Sequence, residues 1–357
     1  VLNFKTKHNK GKIMKTIMKT LLVSIASLSL MLSVNAGELS VSGTAKATYN
    51  NTSGTTADQG LGVTNEINLT ASGEMDNGYT WSYSMELDPR SADSGDAAND
   101  DTAISLNMND LGTIKMCVSE CGNGKEYAFD QSAYVAMSDT GLSEGIEYPI
   151  SASSYASLQY HTPELPFGTT LSAAHGNQKV DGQSSNAQVA SGDSATFYSA
   201  VTKPVDGLTL SASYYEKNDY DNGLNNSVVQ GEEGGAYGAK YAYGNLTVGY
   251  GKSFKAIEDD NTTRTDGATQ VEYYENTGIS VGYAVNDDLS VSYTTETSEA
   301  NYQTSSTTNY DIESDSIQLA YSLGGATLSL ARTDYENIGY ADGVDATETI
   351  IALSFAF

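Results

Sequence analysis

The 357 residues carry 45 acidic side chains against 18 lysines and arginines, a formal net charge of −27, with a hydrophobic content of only 39%. That average excludes a membrane protein built of helices, and so acidic a chain disfavours a nucleic acid partner. The 34 glycines and 25 tyrosines, set beside 5 prolines and 2 cysteines, argue against a helix-rich enzyme or a disulfide-stapled domain and favour short strands joined by polar turns.

Lys5, Lys7, Lys10, Lys12, Lys15 and Lys19 precede an apolar run from Leu21 to Leu32, which ends in Ser33-Val34-Asn35-Ala36. A basic start, a short apolar core and small residues before the cut predict a secretory signal peptide over residues 1–36 and a single exported domain over 37–357. The run is about half of the ~20 apolar residues that a spanning helix needs. Its removal takes away six lysines and no acids, so the net charge moves from −27 to −33.

From Glu38 onward the chain alternates. Leu39, Val41, Ala45, Ala47 and Tyr49 share one face, and Ser40, Ser42, Thr44, Lys46 and Thr48 the other, which is the period of a strand. Tyr79, Trp81, Tyr83, Met85 and Leu87 oppose Thr80, Ser82, Ser84, Glu86 and Asp88 in the same way. In chain order the pattern predicts strands at 38–50, 61–73, 79–88, 101–109, 113–120, 153–161, 168–175 and 195–203. It continues at 208–216, 235–243, 245–253, 269–285, 288–298, 314–323, 326–335 and 347–357, sixteen in all. Splitting 267–285 into two strands, or giving 195–203 to a loop, moves the count toward eighteen or fourteen.

Connections alternate between two lengths. Short ones fall at 74–78, 110–112, 163–167, 204–207, 244, 286–287 and 324–325; long polar ones fall at 51–60, 89–100, 121–152, 176–194, 217–234, 254–268, 299–313 and 336–346. One rim is therefore trimmed and the other elaborated, as in an up-and-down meander whose strands of about ten residues suit a tilted crossing of hydrocarbon. Tyr49, Tyr214, Tyr250 and Tyr293 end strands at the long-loop rim, while Tyr79, Tyr243, Phe355 and Phe357 sit at the short-turn rim. Two aromatic belts at membrane interfaces account for that placement. The fold expected is all-β: a transmembrane antiparallel β-barrel.

The chain closes on Ile351-Ala-Leu-Ser-Phe-Ala-Phe357, an alternating strand with an aromatic residue last, and this end resembles that of outer-membrane barrel proteins. Residues Ser157-Leu-Gln-Tyr-His-Thr-Pro-Glu-Leu-Pro-Phe-Gly-Thr-Thr-Leu-Ser-Ala-Ala-His-Gly176 and Leu111-Gly-Thr-Ile-Lys-Met-Cys117 are similar to the strands flanking the third loop of Gram-negative general diffusion porins. The resemblance implies a long third loop folded into the lumen, passive diffusion of ions and small hydrophilic solutes, a homotrimer, and partners in outer-membrane lipid, lipopolysaccharide and the barrel assembly machinery, which would read Phe355 and Phe357. It further implies that Glu126, Asp130, Asp139, Glu144 and Glu147 supply carboxylates to the constriction. A substrate-selective porin would show an aromatic run along the lumen, where only Tyr155 and Tyr274 share the inward phase. The other alternative is a secreted acidic β-rich adhesin or surface-layer protein without channel activity.

Alternation places Lys46, Glu66, Glu86 and Lys115 on the inner wall, with Arg90 continuing that phase into its loop. The bases on that wall are few beside the carboxylates of the third loop, which predicts a cation preference because low-dielectric walls focus the field. Cys117 and Cys121 stand where the fifth strand becomes the third loop, and an oxidising compartment favours a disulfide. On a straight strand their Cα atoms would lie about 13 Å apart, so the bond requires a sharp turn. His161 and His175 read as rim residues around a short turn, and no nucleophile or acid is spaced with them as in an enzyme. The glycines read as turn residues. No cofactor is expected beyond weak Ca²⁺ or Mg²⁺ binding at outer loops, for which 93–101 and 258–266 are the acidic candidates.

Overall fold

The alternating segments form the strands β1 (Glu38–Gly54), β2 (Asp58–Glu74), β3 (Thr80–Pro89), β4 (Ala97–Asn107), β5 (Thr113–Val118) and β6 (Tyr155–His161). They continue as β7 (Thr170–Gln178), β8 (Ser194–Val205), β9 (Leu208–Asn218), β10 (Val228–Gln230), β11 (Glu233–Tyr243) and β12 (Leu246–Ala256). The last are β13 (Asp259–Asp260), β14 (Val271–Ala284), β15 (Leu289–Tyr302), β16 (Ile312–Ser322), β17 (Ala326–Glu336) and β18 (Ala346–Ala356). This computed structural model describes residues 37–54, 58–89, 97–118, 121–123, 129–137, 142, 145–178, 194–218, 228–257, 259–260, 271–302 and 309–357. The signal peptide expected over 1–36 lies outside them.

Sixteen strands close one antiparallel barrel in chain order, and β10 with β13 makes a separate two-stranded ribbon. Each strand expected from alternation is a barrel strand. The long rim exceeds what periodicity shows, because polar residues continue the ladder beyond the apolar stripe: β1 and β2 stay paired out to Thr52 and Asp58.

Closure joins the first strand to the last. Thr44 pairs with Ala356 and Gly54 with Ala346, and beyond them the Gly43 amide donates to the Phe357 carbonyl at 2.8 Å while the Phe357 amide donates back at 3.0 Å. No edge is left for pairing with another chain along this seam. A Cβ on Gly43 would lie 2.7 Å from the Phe357 ring, so the ring lies against the glycine. Deleting Phe357 removes both bonds, each worth about 1 kcal/mol net. The truncated barrel should lose its compact gel mobility at a lower temperature than the full chain, a heat-modifiability assay.

Exposure runs opposite to that of a water-soluble fold. Leu39, Val41, Ile104, Val248, Ile279, Ile317, Leu330 and Ile351 are exposed, whereas Ser280, Thr294, Ser316, Gln318 and Glu348 are buried. The apolar residues form the outer surface that faces lipid, and the polar ones line the interior. Tyr49, Tyr214, Tyr250 and Tyr293 are exposed toward one rim, and Tyr243, Phe355 and Phe357 toward the other. Above the upper belt, carboxylates stand directly opposite one another on neighbouring strands: Glu216 with Glu233, Glu275 with Glu299, Glu313 with Glu336, and Asp315 with Asp334. Such like-charge pairs disfavour the sheet. Lys252 at 2.5 Å from Glu275 and Arg332 at 3.4 Å from Asp334 relieve two of them.

Two expectations are corrected. His175 is not at the short-turn rim: it pairs with Leu158 along β7, and its Nδ1 lies 2.9 Å from the Thr196 hydroxyl on the exposed side. Only His161 ends a strand, with Nε2 at 3.0 Å from Gln159 Oε1. Nor are the glycines only turn residues, since Gly235, Gly249, Gly251, Gly278 and Gly282 lie inside β11, β12 and β14. Their role is the absence of a Cβ.

Candidate pore constriction

The third long loop leaves β5 at Val118 and returns at Tyr155. Its root is a disulfide between Cys117 and Cys121, whose Cα atoms are 6.0 Å apart because the strand ends and the chain turns between them. Both cysteines are buried against Ala103. From there the backbone is taken up by polar side chains of the inner wall: Gln159 Nε2 donates to the Cys121 carbonyl at 2.6 Å, and Ser199 donates to the Asn123 carbonyl at 2.8 Å. Ser172 also donates to the Asn123 carbonyl.

The loop next meets β12 and β14, where Phe129, 2% exposed, sets its side chain against Gly251 and Gly278 and its backbone against Gly249. A Cβ on Gly251 would stand 2.9 Å from Phe129 Cβ, and one on Gly278 would overlap the ring. Beyond this socket the chain crosses three strands. The Gln131 amide donates to Ser280 Oγ on β14 at 2.8 Å, and the Ala133 amide to Ser292 Oγ on β15 at 2.8 Å. On β16, Gln318 Oε1 accepts from the Tyr134 and Val135 amides, each at 3.0 Å, and its Nε2 donates to the Val135 carbonyl at 2.8 Å. The Tyr134 ring faces Lys46 of β1, with the ammonium 6.0 Å from its centroid. A segment touching β12, β14, β15, β16 and β1 from one side lies inside the barrel.

Two of the acids expected at the constriction lie among the described residues. Asp130 Oδ1 accepts from the Ser132 amide at 2.7 Å and Oδ2 from the Met137 amide at 2.8 Å, so the carboxylate closes the loop tip. Glu147 pairs with Lys255 of β12 at 2.7 Å, while the neighbouring Tyr148 hydroxyl donates to Glu296 of β15 at 2.8 Å. Glu126, Asp139 and Glu144, like Arg90 on the wall, lie outside the described residues.

The returning limb covers an aromatic cluster that alternation only partly predicts. Tyr155 meets Phe197 edge-on at 5.3 Å, Phe197 stacks on Tyr215 at 6.0 Å, and Ile150 and Ala152 pack over them. These rings are at most 5% exposed, so they cement the loop to β6, β8 and β9 and offer no ladder to a solute. Tyr340, from the loop between β17 and β18, closes over the same limb beside Tyr274 at 5.5 Å and Ser298 at 2.8 Å. Burial pushes its hydroxyl up to about 12, with the nearby Tyr274 raising it further and the Ser298 hydrogen bond opposing the shift.

On the opposite wall, Lys46, Glu66, Glu86 and Lys115 share the inward face. Glu66 pairs in register with Thr44 and accepts from its hydroxyl at 3.3 Å; Glu86 aligns with Asn68. Lys115 aligns with Gln159, the residue holding the loop root. Among the described residues no group of three or more His, Cys, Asp and Glu converges as a metal site.

A family model described as Gram-negative porin matches residues 22–357. No curated protein sequence matches the chain. Among solved structures it is similar to the anion-selective porin from Comamonas acidovorans at 12% identity and a TM-score of 0.64, covering 90% of this chain and 100% of that one. It is also similar to the trimer form of OmpT, an outer membrane protein of Vibrio cholerae, at 13% identity, a TM-score of 0.62 and the same coverage. OmpF of Salmonella typhi, in complex with daunomycin, matches at 14% identity and a TM-score of 0.62 over 92% of this chain and 100% of that one.

Proposed function

The chain belongs to the Gram-negative porin family, channels of the outer membrane, and from that premise we propose a passive pore whose inward loop limits solute size and whose lumen weakly prefers cations. The observation carrying the size limit is the loop segment 129–135, held inside the barrel on the walls of β12, β14, β15 and β16. The disulfide between Cys117 and Cys121 fixes the root of that loop.

The charge preference is a balance. Glu147 is compensated by Lys255, and Lys46 and Lys115 offset Glu66 and Glu86, which leaves the chain's excess of acids to tip the lumen negative. Reconstitution in a planar bilayer should give discrete conductance steps and, in a salt gradient, a reversal potential of cationic sign. An anionic sign would overturn the preference and leave the channel; no conductance at all would support the adhesin alternative.

The same proposal includes a homotrimer, with OmpT's trimer form as the comparison that supports it, and recognition of the Phe355 and Phe357 end by the assembly machinery. Lipopolysaccharide is the natural partner of the upper outer face. There, weak Ca²⁺ or Mg²⁺ bridges to its phosphates would come from the acidic outer-loop stretches 93–101 and 258–266, most of which lie outside the described residues.

A further inference from the structure

We propose that Gln318 is the positioning residue of the pore: its side-chain amide binds the loop backbone as a strand partner would, and so sets how far the loop stands from the wall. This rests on the reading of the loop as the size-limiting element.

The argument starts from the donors and acceptors. An extended backbone presents an amide and a carbonyl, and a primary amide presents the complementary acceptor and donor in one plane. Gln318 uses both ends on Tyr134 and Val135, at 3.0, 3.0 and 2.8 Å. It is 1% exposed, and Ser316 Oγ accepts from the same Nε2 at 3.1 Å, which fixes the amide's orientation. Ser280 and Ser292 extend the contact as a rail, taking the amides of Gln131 and Ala133. Each hydroxyl makes one bond to the loop backbone, whereas Gln318 makes three, at the point where the Tyr134 ring meets the Lys46 ammonium.

The rail reads backbone and not side chains. Loop side chains can then change the lumen lining without changing the loop's distance from the wall. Removing the amide leaves two part-buried amides and a carbonyl without their wall partner, and the segment loses its fixed seat on the wall.

Single-channel conductance of the full chain in planar bilayers tests this, with heat-modifiable mobility as the control for folding. Gln318→Leu should raise conductance about twofold with greater open-channel noise, because ion flow follows the open cross-section at the narrowest point. Gln318→Glu keeps the shape and adds a titration. Its carboxylate accepts the two amides but faces the Val135 carbonyl with a second acceptor; once protonated, it donates there as glutamine does. Relative to wild type at each pH, which cancels the titration of nearby Asp130 and Glu296 and the fixed charge of Lys46, its conductance should be raised at neutral pH and should return to wild type in acid. Wild-type conductance in folded Gln318→Leu, or a Gln318→Glu ratio that does not move with pH, overturns the assignment. A wild-type protein that conducts nothing would instead overturn the channel reading on which it rests.

Discussion

Gly278→Leu should open the channel. The Phe129 ring occupies the space into which any side chain at position 278 would grow, and Gly249 and Gly251 close the socket from β12. A leucine at 278 therefore evicts the ring and releases the segment behind it from the wall. Burial of such a ring is worth about 3 kcal/mol or more when it is removed from a packed site, so eviction should undo the docking of residues 129–131. Conductance should rise about twofold, with larger current fluctuations as the loop samples positions off the wall. Phe129→Ala alone should act in the same direction. The double variant is more informative: leucine fills the volume the ring vacates, so the two changes together should lie closer to wild type than either alone, the signature of directly contacting residues. Strictly additive effects in folded protein would show that Phe129 does not hold the loop through this socket.

The socket also marks where sequence reasoning stopped. Strands were legible because every crossing has to present apolar residues to lipid and polar ones to water, which imposes a period of two on strand after strand. The loop was legible by its length, and the disulfide by the oxidising compartment expected for an exported chain. What holds the loop was not legible, since the wall uses Ser280, Ser292, Gln318 and Gly278, residue types that line any water-filled barrel. Glycine most often signals a turn, and only the ring lying against Gly278 reveals a different use. Asp130 likewise reads as lumen charge until the amides of Ser132 and Met137 are seen converging on it. Phe197 and Tyr215 carry a signal that the search for inward aromatics passed over: each is buried and alternates against an exposed neighbour, Tyr198 and Tyr214.

Charge reversal at Lys46 should change selectivity more than neutralisation of any described loop acid. The Lys46 ammonium lies 6.0 Å from the centre of the Tyr134 ring, where the loop meets β1, so an ion passing the loop passes close to its charge. Lys46→Glu alters the local charge by two units; at about 5 Å in water, reduced by salt, that is about 1 kcal/mol in favour of a cation and as much against an anion, or more than about a tenfold rise in the cation-to-anion permeability ratio. Asp130→Asn changes one unit only, on a carboxylate turned toward backbone amides, and should move the ratio less. Its larger effect is mechanical: asparagine offers one oxygen where two are used and turns an amide nitrogen toward the donor at Ser132 or Met137, which loosens the tip. Noise should therefore increase in Asp130→Asn while selectivity barely shifts, and the reverse should hold in Lys46→Glu. Reversal potentials and current-noise spectra of the two variants, measured side by side, separate the roles. If Asp130→Asn moved the permeability ratio as far as Lys46→Glu, with an unchanged noise spectrum, the carboxylate would be a selectivity group and not a brace for the loop.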